Sequence, residues 1–572
     1  MTVRRVSIRH ASTYNPVFIG ARGMGNRSMN GLVMDQLEVV DAKARPWLLM
    51  EADDNRTQWG EVRGSASVSN PHGCFATLDG AKCVGRPCAE WFNVTCNTRL
   101  LFEMQQSTTI KTDDTVSPQV KAAPPPQGAK CNDPVVANAA CFGFNPTDST
   151  AAVRAALATN KSKIVIPKMS GPWIVGPMGG PAAMHLLHQR DMTIVLEPGV
   201  EIRAKRGDFH LKNQRLLLIE DCSNITILAY GSSMSMWRQD YANLSMYSKS
   251  EWRAGLAIYD SQHLKLLGLN ISNTGGDGMT LTDVRNIYVK DAQLLDNYRQ
   301  GLSMIAGINV TVEDSLFAGT NGTWPKSGCD IEPDDAITGL INITFRRVVS
   351  RGNQGSGFSI APGALEARPQ RMNIRFEDCI SEGNAIAGYS IEGLHGNTSG
   401  TIDIVGGSVR DQSSPGLIFF DKHPRVLVTL SHISISNVAN HGPGEGEDPL
   451  EGWWLRTPIV IQSYPAGGKE GCCHHPWKKF PFGGLAFGEG VEISHSRTNR
   501  SSRQQHWPWL RAYHIDARPT AGSTNWTDPG NANITGTVRV FTSTPEAVCP
   551  GVSLDDHGPQ SNVSVKVLCN GV

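Results

Sequence analysis

The sequence has little charge and no excess of either sign. Charged residues make up 19% of its 572 residues, and 53 basic side chains balance 53 acidic ones. Intrinsically disordered chains have a higher net charge, and nucleic-acid-binding proteins carry a basic surface. The composition therefore favours a folded protein without a nucleic-acid partner.

Long hydrophobic runs and common ligand motifs are also missing. No segment is apolar over the length of a membrane span, and residues 1–30 lack the hydrophobic core of a signal peptide. The paired cysteines and histidines of residues 472–475 do not have zinc-site spacing, and the glycine-rich residues 442–454 lack the order of a phosphate-binding loop. We predict no membrane span and interpret both segments as loops.

What the sequence does contain is a repeat. Seven short segments begin with glycine and continue with an apolar, a small or polar, and a second apolar residue. Their glycines lie 23, 23, 27, 29, 31 and 28 residues apart, a period typical of solenoids. The segments are residues 255–258, 278–281, 301–304, 328–331, 357–360, 388–391 and 416–419.

This repeat predicts an all-β fold, a parallel β-helix. Leucine-rich repeats have a similar period, but their leucine pattern is absent. Residues one and three positions after each glycine should face the interior, and residues two and four positions after it should face outward. Since neighbouring coils lie about 4.8 Å apart, the outward residues form rows. Asp330, Glu332 and Glu392 interrupt rows of mostly small or neutral residues.

Fifteen Asn-x-Ser/Thr sequons and thirteen cysteines favour a secreted or extracellular glycoprotein with disulfides. Several cysteines lie near segment ends, where a disulfide would hold a solenoid together, and these include Cys131 and Cys141. Cys329 and Cys379 are expected in the core as small apolar residues. Because thirteen is odd, at least one thiol is unpaired.

The two ends of the chain are similar in order and residue type over residues 30–96 and 483–569. We therefore interpret residues 1–105 as the C-terminal part of an upstream, partial copy of one domain. Residues 106–130 form a proline-rich linker. Residues 131–572 form a complete domain with a β-rich tail, opened by a short helix that Asp148 or Ser149 caps. A truncated or internal start then accounts for the missing signal peptide, and we expect a monomer or a tandem-domain chain.

Residues 131–440 carry a family resemblance. The segments DSTAAVRAAL, IVIPK and TIVLEPGVEIRA, followed by NTGGDGMTL, NYRQGLSMI and SGCDIEPDD, resemble right-handed parallel β-helix proteins of the pectate-lyase and polygalacturonase-like superfamily. The resemblance implies a right-handed parallel β-helix and a carbohydrate-active protein. It implies the fold more specifically than the reaction, because this superfamily includes hydrolases, lyases, epimerases and binding proteins.

Asp277 lies in NTGGDG, which is similar to the NTDG stretch that carries a catalytic acid in polygalacturonases. The paired aspartates and the GHG and RIK segments of that family are missing, so ordinary polygalacturonase activity is not expected. Asp277 is therefore a candidate catalytic residue, with the capping of a turn as its alternative role.

Asp330 and Glu332 lie two residues apart on one strand, so both project from the same face about 7 Å apart. Carboxyl separations of about 6.5–9.5 Å suit inverting glycosidases, and about 5–5.5 Å suits retaining ones, so this pair favours inversion. Its alternative role is structural or calcium-binding, because Asp334 and Asp335 follow closely. A hydrolase would need no cofactor, and Ca²⁺ belongs to the alternative.

Arg253 and Arg299 both lie two residues before a ladder glycine, two coils and about 10 Å apart. We expect them to bind an acidic or sulfated sugar or to stabilise developing charge. A structural pairing of Arg299 with Asp277 or Asp330 is equally open. The other predicted substrate-binding residues are Tyr298, Gln300, Trp252, Trp324 and Glu392, of which the aromatic ones have packing as an alternative.

These residues predict a secreted protein that acts on an extracellular polysaccharide as a glycoside hydrolase, with Asp330, Glu332 and Asp277 as acid and base candidates. The enzymatic alternative is a polysaccharide lyase or uronic-acid epimerase, in which Arg299 or Tyr298 would be the base. A non-catalytic glycan-binding or structural solenoid is the third possibility, so the sequence leaves open whether the protein is an enzyme.

Overall fold

The computed structural model describes most of residues 131–439 and parts of the rest. The described ranges are 131–333, 339–362, 371–392, 399–412, 414–420, 425–439, 457–463, 483–495, 509–514, 533–542, 552–554 and 563–571, together with the strands of residues 2–96. The predicted calcium ligands Asp334 and Asp335 and the loops of residues 442–454 and 472–475 lie outside them. The chain divides into two compact units, Met1–Val120 and Lys121–Val572.

The first unit contains strands that pair in parallel. Its interpretation as a partial copy of the second unit stays a prediction. The strands are Thr2–Arg4, Ser7–Arg9, Val17–Ala21, Ser28–Met29, Leu32–Val40, Leu48–Ala52, Gln58–Trp59, Val62–Ser69, Ala76–Asp79, Lys82–Cys83 and Phe92–Cys96.

The second unit is a parallel β-helix built from a 12-stranded and a 25-stranded sheet, as the repeat predicted. Each coil contributes one strand to the 12-stranded sheet. In order these strands are Ala182–Leu187, Arg215–Glu220, Leu256–Tyr259, Met279–Thr282, Leu302–Met304, Cys329–Ile331, Phe358–Ile360, Tyr389–Glu392, Leu417–Phe420, Ile459–Ser463, Leu510–His514 and Val552–Leu554.

The 25-stranded sheet forms the rest of the wall, usually with two strands from each coil. Its strands are Val136–Asn138, Lys163–Ile166, Trp173–Val175, Arg190–Leu196, Glu201–Ala204, Ser223–Leu228, Ser233–Ser235, Gln262–Leu267, Asn270–Ser272, Val284–Lys290, Gln293–Leu295, Gly307–Glu313, Leu316–Ala318, Leu340–Arg346, Val349–Arg351, Arg371–Glu377, Ile380–Glu382, Ser399–Val405, Ser408–Arg410, Val426–Ser431, Ser434–Ser436, Gly483–Phe487, Glu492–His495, Asn533–Thr542 and Val563–Gly571.

The glycine ladder sets the register of the 12-stranded sheet. A Cβ atom at Gly278 would lie 2.5 Å from Nδ2 of Asn297 and 2.6 Å from the carbonyl oxygen of Gly301, so the coils can approach this closely only with glycine there. The residues one and three positions after each ladder glycine, such as Leu256 and Ile258, belong to the buried core. The predicted inward and outward phases are confirmed.

A ladder of buried side chains holds the corner before the 12-stranded sheet, and sequence analysis did not predict it. Oδ1 of Asn353 accepts a hydrogen bond from the Thr320 backbone N–H at 3.1 Å, and Oδ1 of Asn384 accepts one from the Asn353 N–H at 3.0 Å. Asn297 has the same role toward Thr274. Each asparagine lies four residues before a ladder glycine, which is the signal that could have revealed the ladder.

The interior is closed at its start by two short helices, Ala139–Phe142 and Thr150–Leu157, while a third, Asp240–Ala242, lies in the loop of residues 236–253. Ser149 is the N-cap residue of the second helix and makes no side-chain capping hydrogen bond, but Oδ1 of Asp148, one residue earlier, accepts the Thr150 N–H at 3.0 Å. A disulfide joins Cys131 to Cys141, and Cys329 and Cys379 are buried free thiols, as predicted. None of the helices in the described ranges is long and apolar enough to cross a membrane.

Candidate active site

A cleft of about 730 Å³ lies on the outer face of the 12-stranded sheet. Its lining extends over seven neighbouring strands, from Arg215–Glu220 to Tyr389–Glu392. Seven of the ten residues that the sequence singled out line it, namely Trp252, Asp277, Arg299, Trp324, Asp330, Glu332 and Glu392.

The strand register brings the acidic residues to this face. Asp330 pairs with Ser303 on one side and Ser359 on the other, so it stands in the predicted outward row. Glu332, the residue directly after the strand, lines the same cleft. The rows derived from the repeat are therefore the floor of the cleft.

Arg299 contacts two candidate carboxylates at once. Its Nη1 lies 3.4 Å from Oδ2 of Asp277, and its Nη2 lies 3.3 Å from Oε2 of Glu332. Burial opposes the charge of Arg299, but Asp277 and Asp330 outweigh this effect and raise the pKa of the guanidinium. Arg299 therefore stays a cation that links carboxylates from different coils.

Asp277 is completely buried at the bottom of the cleft. Its Oδ2 accepts a hydrogen bond from Oγ1 of Thr280 at 3.2 Å, and the hydroxyl group of Ser303 also favours its ionised form. Burial raises the pKa of Asp277 to about 6, and Arg299 and Thr280 limit the rise. Such a group can hold and release a proton near neutral pH, as a general acid must.

Asp330 is 1% exposed, and its carboxyl group is hydrogen-bonded to a buried side chain. The buried Nε2 of Gln300 donates a hydrogen bond to Oδ2 of Asp330. Burial raises the pKa of Asp330, whereas Gln300 and Ser359 favour its ionised form. Gln300 does not line the cleft, so it acts on the cleft through Asp330 rather than by direct contact with a ligand.

Two exposed tryptophans stand at the rim. Trp252 is 42% exposed and Trp324 is 60% exposed, and both line the cleft. The Nζ atom of Lys212 lies 4.5 Å from the ring centre of Trp252, and that of Lys326 lies 4.8 Å from the ring centre of Trp324. Exposed indole rings of this kind offer flat apolar surfaces for stacking.

Arg253 does not line the cleft. It is 1% exposed, and its Nη2 donates to the backbone carbonyls of His210, Leu211 and Ser248 at 3.2, 3.1 and 3.0 Å. Its guanidinium also lies over the ring of Tyr241, 4.7 Å from the ring centre. Burial lowers the pKa of Arg253 to about 10. Arg253 therefore anchors the loop of residues 236–253, and this loop places Trp252 at the rim of the cleft.

Tyr298 is also outside the lining. A Cβ atom at Gly322 would lie 2.8 Å from the Tyr298 ring, so this ring packs against the loop that leads to Trp324. Sequence analysis missed three charged residues of the lining, Arg215, Glu251 and Asp283. They lie before or after the repeated segments, where the glycine pattern does not predict which side chains face inward and which face outward.

The described part of the chain contains no group of three or more His, Cys, Asp or Glu residues that could hold a metal ion. What the cleft does contain is a buried carboxyl group with a raised pKa, Asp277, joined through one cation to the half-exposed carboxylate of Glu332. Two carboxyl groups with different surroundings are suited to separate acid and base roles.

Comparison with known proteins agrees with this architecture. Residues 235–409 match the family model described as "Right handed beta helix region". Among curated proteins, none matches the sequence.

Similar solved structures include the A-modules of the mannuronan C-5 epimerases AlgE6 and AlgE4 from Azotobacter vinelandii. Each is 14% identical with a TM-score of 0.50; they cover 76% and 75% of this chain and 99% of each module. The catalytic domain of a GH87 α-1,3-glucanase is 12% identical over 77% of this chain and 70% of its own, with a TM-score of 0.46. Identities this low speak to the fold alone. The chain is a right-handed parallel β-helix protein.

Proposed function

We propose that this protein is a carbohydrate-active enzyme that hydrolyses glycosidic bonds in an extracellular polysaccharide. The observation that carries the proposal is the pairing of buried Asp277 with Glu332 through Arg299 in a cleft with two exposed tryptophans. The seven-strand length of the cleft, about 29 Å at about 4.8 Å per coil, fits several sugar rings of a polymer. The Cys131–Cys141 disulfide favours an oxidising compartment outside the cytosol.

In this proposal Asp277 is the general acid. Its raised pKa keeps a proton available near pH 6, and the residue belongs to the lining of the cleft. The proton passes from Asp277 to the glycosidic oxygen as the bond to the anomeric carbon breaks, and the departing sugar keeps that oxygen as a hydroxyl.

Glu332 is the proposed general base. Its side chain is 44% exposed, so a water molecule can reach it, and it takes the proton of the water that attacks the anomeric carbon. The two ion pairs on Arg299 set an upper limit of about 9 Å on the distance between the paired oxygens of Asp277 and Glu332. This limit overlaps the inverting range of about 6.5–9.5 Å and also admits the retaining range of about 5–5.5 Å. Because a guanidinium lies between them, we propose inversion of the anomeric configuration.

The test measures products from neutral, uronic and sulfated polysaccharides, as reducing ends and as near-ultraviolet absorbance. We expect reducing ends without unsaturated product, and a loss of about 10²–10⁴-fold in kcat for Asp277→Asn and Glu332→Gln. Glu201→Gln is the matched control, because Glu201 pairs with Arg203 on the 25-stranded sheet and lies outside the cleft lining.

Other outcomes would redirect the assignment. Unsaturated product would identify a lyase, and a changed uronic-acid composition without cleavage would identify an epimerase. Binding without turnover across the panel would identify a glycan-binding solenoid. Activity retained in both cleft variants would remove Asp277 and Glu332 from the mechanism.

A further inference from the structure

Two buried polar residues stand side by side at the corner that leads into the 12-stranded sheet. Asp277 and Gln300 come directly before the ladder glycines of consecutive coils, and both are completely buried. Since neighbouring coils lie about 4.8 Å apart, their side chains are neighbours in one row. The adjoining coils have small residues at this position, namely Ala254, Ser327, Ser356 and Ala387.

Each of these two residues contacts the outward row of the following coil. Asp277 is hydrogen-bonded to the Ser303 hydroxyl, and Nε2 of Gln300 donates to Oδ2 of Asp330. Ser303 and Asp330 are themselves partners in adjacent strands. The carboxyl groups of Asp277 and Asp330 therefore lie on the two sides of the coil that carries Gln300 and Ser303.

The two carboxyl groups affect each other's charge. Burial raises the pKa of both, and the charge of Asp277 raises that of Asp330 further. The other charged groups beside the pair, among the described residues, are Glu251, Arg299 and Glu332. Two carboxyl groups that interact in this way lose their protons in two steps, between which the pair holds one proton. The chemistry of the site therefore depends on which of the two keeps that proton.

The hydrogen-bond donors around the pair differ in what they permit. Hydroxyl groups donate to both members of the pair. A hydroxyl group can turn and accept a hydrogen bond once the carboxyl group is protonated, whereas Nε2 of a glutamine can only donate. Arg299 favours the ionised form of both carboxyl groups. The hydrogen bond from Gln300 is therefore a contact that distinguishes Asp330 from Asp277.

We infer that Gln300 is a positioning residue, which stabilises ionised Asp330 and thereby leaves the shared proton on Asp277. A hydrogen bond donated to a carboxylate favours its ionised form, and bonds of this kind are among the stronger ones in proteins. The inference rests on the proposed function, in which Asp277 holds the proton that the leaving sugar receives. It also gives Asp330 a role, because a carboxylate beside Asp277 opposes the loss of that proton.

The first experiment examines each carboxyl group without the other. Asp330→Asn leaves Asp277 to titrate, and Asp277→Asn leaves Asp330. Infrared spectroscopy of the full chain follows the carbonyl stretching band of the protonated carboxyl group as the pH rises, which gives the pKa of the group that remains. A variant with both substitutions identifies the band by its absence. We expect Asp277 to have the higher pKa, and a higher pKa for Asp330 would overturn the inference.

The same comparison is then repeated with Gln300→Met, which keeps the length of the side chain and removes its donor. We expect the pKa of the remaining Asp330 to rise by about one unit or more, and that of the remaining Asp277 to stay the same. An unchanged Asp330, or an equal rise for Asp277, would contradict the inference. Gln412→Met is the matched control and should change neither value, because Gln412 is also a buried glutamine, 1% exposed, and lies outside the cleft lining. The first experiment tests the position of the proton even if Gln300→Met does not fold.

The infrared measurements need no substrate, so the two proposals fail separately. On the polysaccharide of the panel that the protein cleaves fastest, the fall of kcat/KM at high pH reports the loss of the Asp277 proton. This fall should begin about one pH unit lower in Gln300→Met than in the wild type, and a fall at an unchanged pH would remove the positioning role and leave the hydrolase intact. A proton held on Asp277 without cleavage of any polysaccharide would overturn the hydrolase and leave the position of the proton intact.

Discussion

Carboxylates and arginines meet on both sheets of the solenoid, and the pKa values of the carboxyl groups shift in opposite directions. The cleft cluster lies on the 12-stranded sheet, and the surface network lies on the 25-stranded sheet. The cleft cluster is Asp277, Arg299, Asp330 and Glu332, and the surface network is Lys290, Glu313, Asp314, Arg346, Arg347 and Glu377.

In the surface network, cations are plentiful and solvent is near. Nε of Arg347 lies 2.6 Å from Oδ1 of Asp314, and Nε of Arg346 lies 2.5 Å from Oε2 of Glu377. Hydrogen bonds from Arg347 and Lys290 lower the pKa of Asp314 to about 2. Every acid in this network has at least one cation beside it, which is the arrangement of a stabilising ion-pair cluster.

In the cleft cluster, Arg299 pairs with Asp277 and Glu332. The carboxyl groups of Asp277 and Asp330 are almost completely removed from water. Burial raises the pKa of Asp277 to about 6 and also raises that of Asp330. Neighbouring cations thus stabilise the ionised carboxylates of the surface network, whereas burial outweighs the neighbouring cation and disfavours the ionised form of Asp277 and Asp330 in the cleft. Groups held in an unfavourable charge state inside a cleft are typical of sites selected for chemistry.

The largest expected difference follows from removing one arginine from each group. Arg299→Met leaves buried carboxylates without their cation and should cost about 3–5 kcal/mol of unfolding free energy at pH 8. The loss should be smaller at pH 5, where Asp277 is protonated. Arg347→Met should cost much less, because the Arg347 side chain is 48% exposed. Urea unfolding at both pH values measures the difference, and equal losses would mean that the two groups are energetically alike.

The pH dependence of stability should have opposite signs in the two groups. The pKa of Asp277 rises from 3.8 to about 6 on folding, so its contribution is fully present below pH 4 and is lost as the pH rises through 6. Between pH 4 and pH 7 the wild type should therefore lose about 2–3 kcal/mol of unfolding free energy that Asp277→Asn does not lose.

Asp314 provides the matched variant. Its pKa falls from 3.8 to about 2, so its contribution is present above pH 4 and is lost as the pH falls through 2. Asp314→Asn should be less stable than the wild type at pH 7, and the difference should vanish near pH 2. The melting temperatures of Asp277→Asn and Asp314→Asn, each compared with the wild type, should be measured across this pH range. The comparison would be contradicted if the difference from the wild type changed with pH in the same direction for both variants.

The fold was predictable because the position of the glycine in each repeat determines which of the following side chains face the interior. Once glycine must lie where neighbouring coils nearly touch, as at Gly278, strand alternation assigns every following residue to the interior or the surface. Asp330 and Glu332 could be placed on one face for that reason. The proximity of Asp277 to Arg299 was open in the sequence, since their contact depends on side-chain directions at a corner.

The parts that could not be predicted lie outside the repeated segments. Arg253 and Arg299 occupy the same position before a glycine, yet only Arg299 enters the cleft. Tyr241 and the carbonyl of Ser248, both in the loop of residues 236–253, hold the Arg253 side chain away from it. Such loops have no period, so their packing decides the direction of a side chain and also places Glu251 in the lining.

The smallest expected effect is the response to salt, and it separates the groups by exposure alone. At about 1 M NaCl the Debye length falls to about 3 Å, so the stabilisation that Arg347 provides in the surface network should largely disappear. The loss caused by Arg347→Met should therefore shrink as salt rises from low to high concentration. The loss caused by Arg299→Met should largely persist, because the Arg299 side chain is only 10% exposed and that of its partner Asp277 only 1%, so ions do not reach this pair. The comparison needs the unfolding free energies of both variants and of the wild type at the two salt concentrations. If the loss caused by Arg299→Met also shrank at high salt, the cleft cluster would be solvated like the surface network.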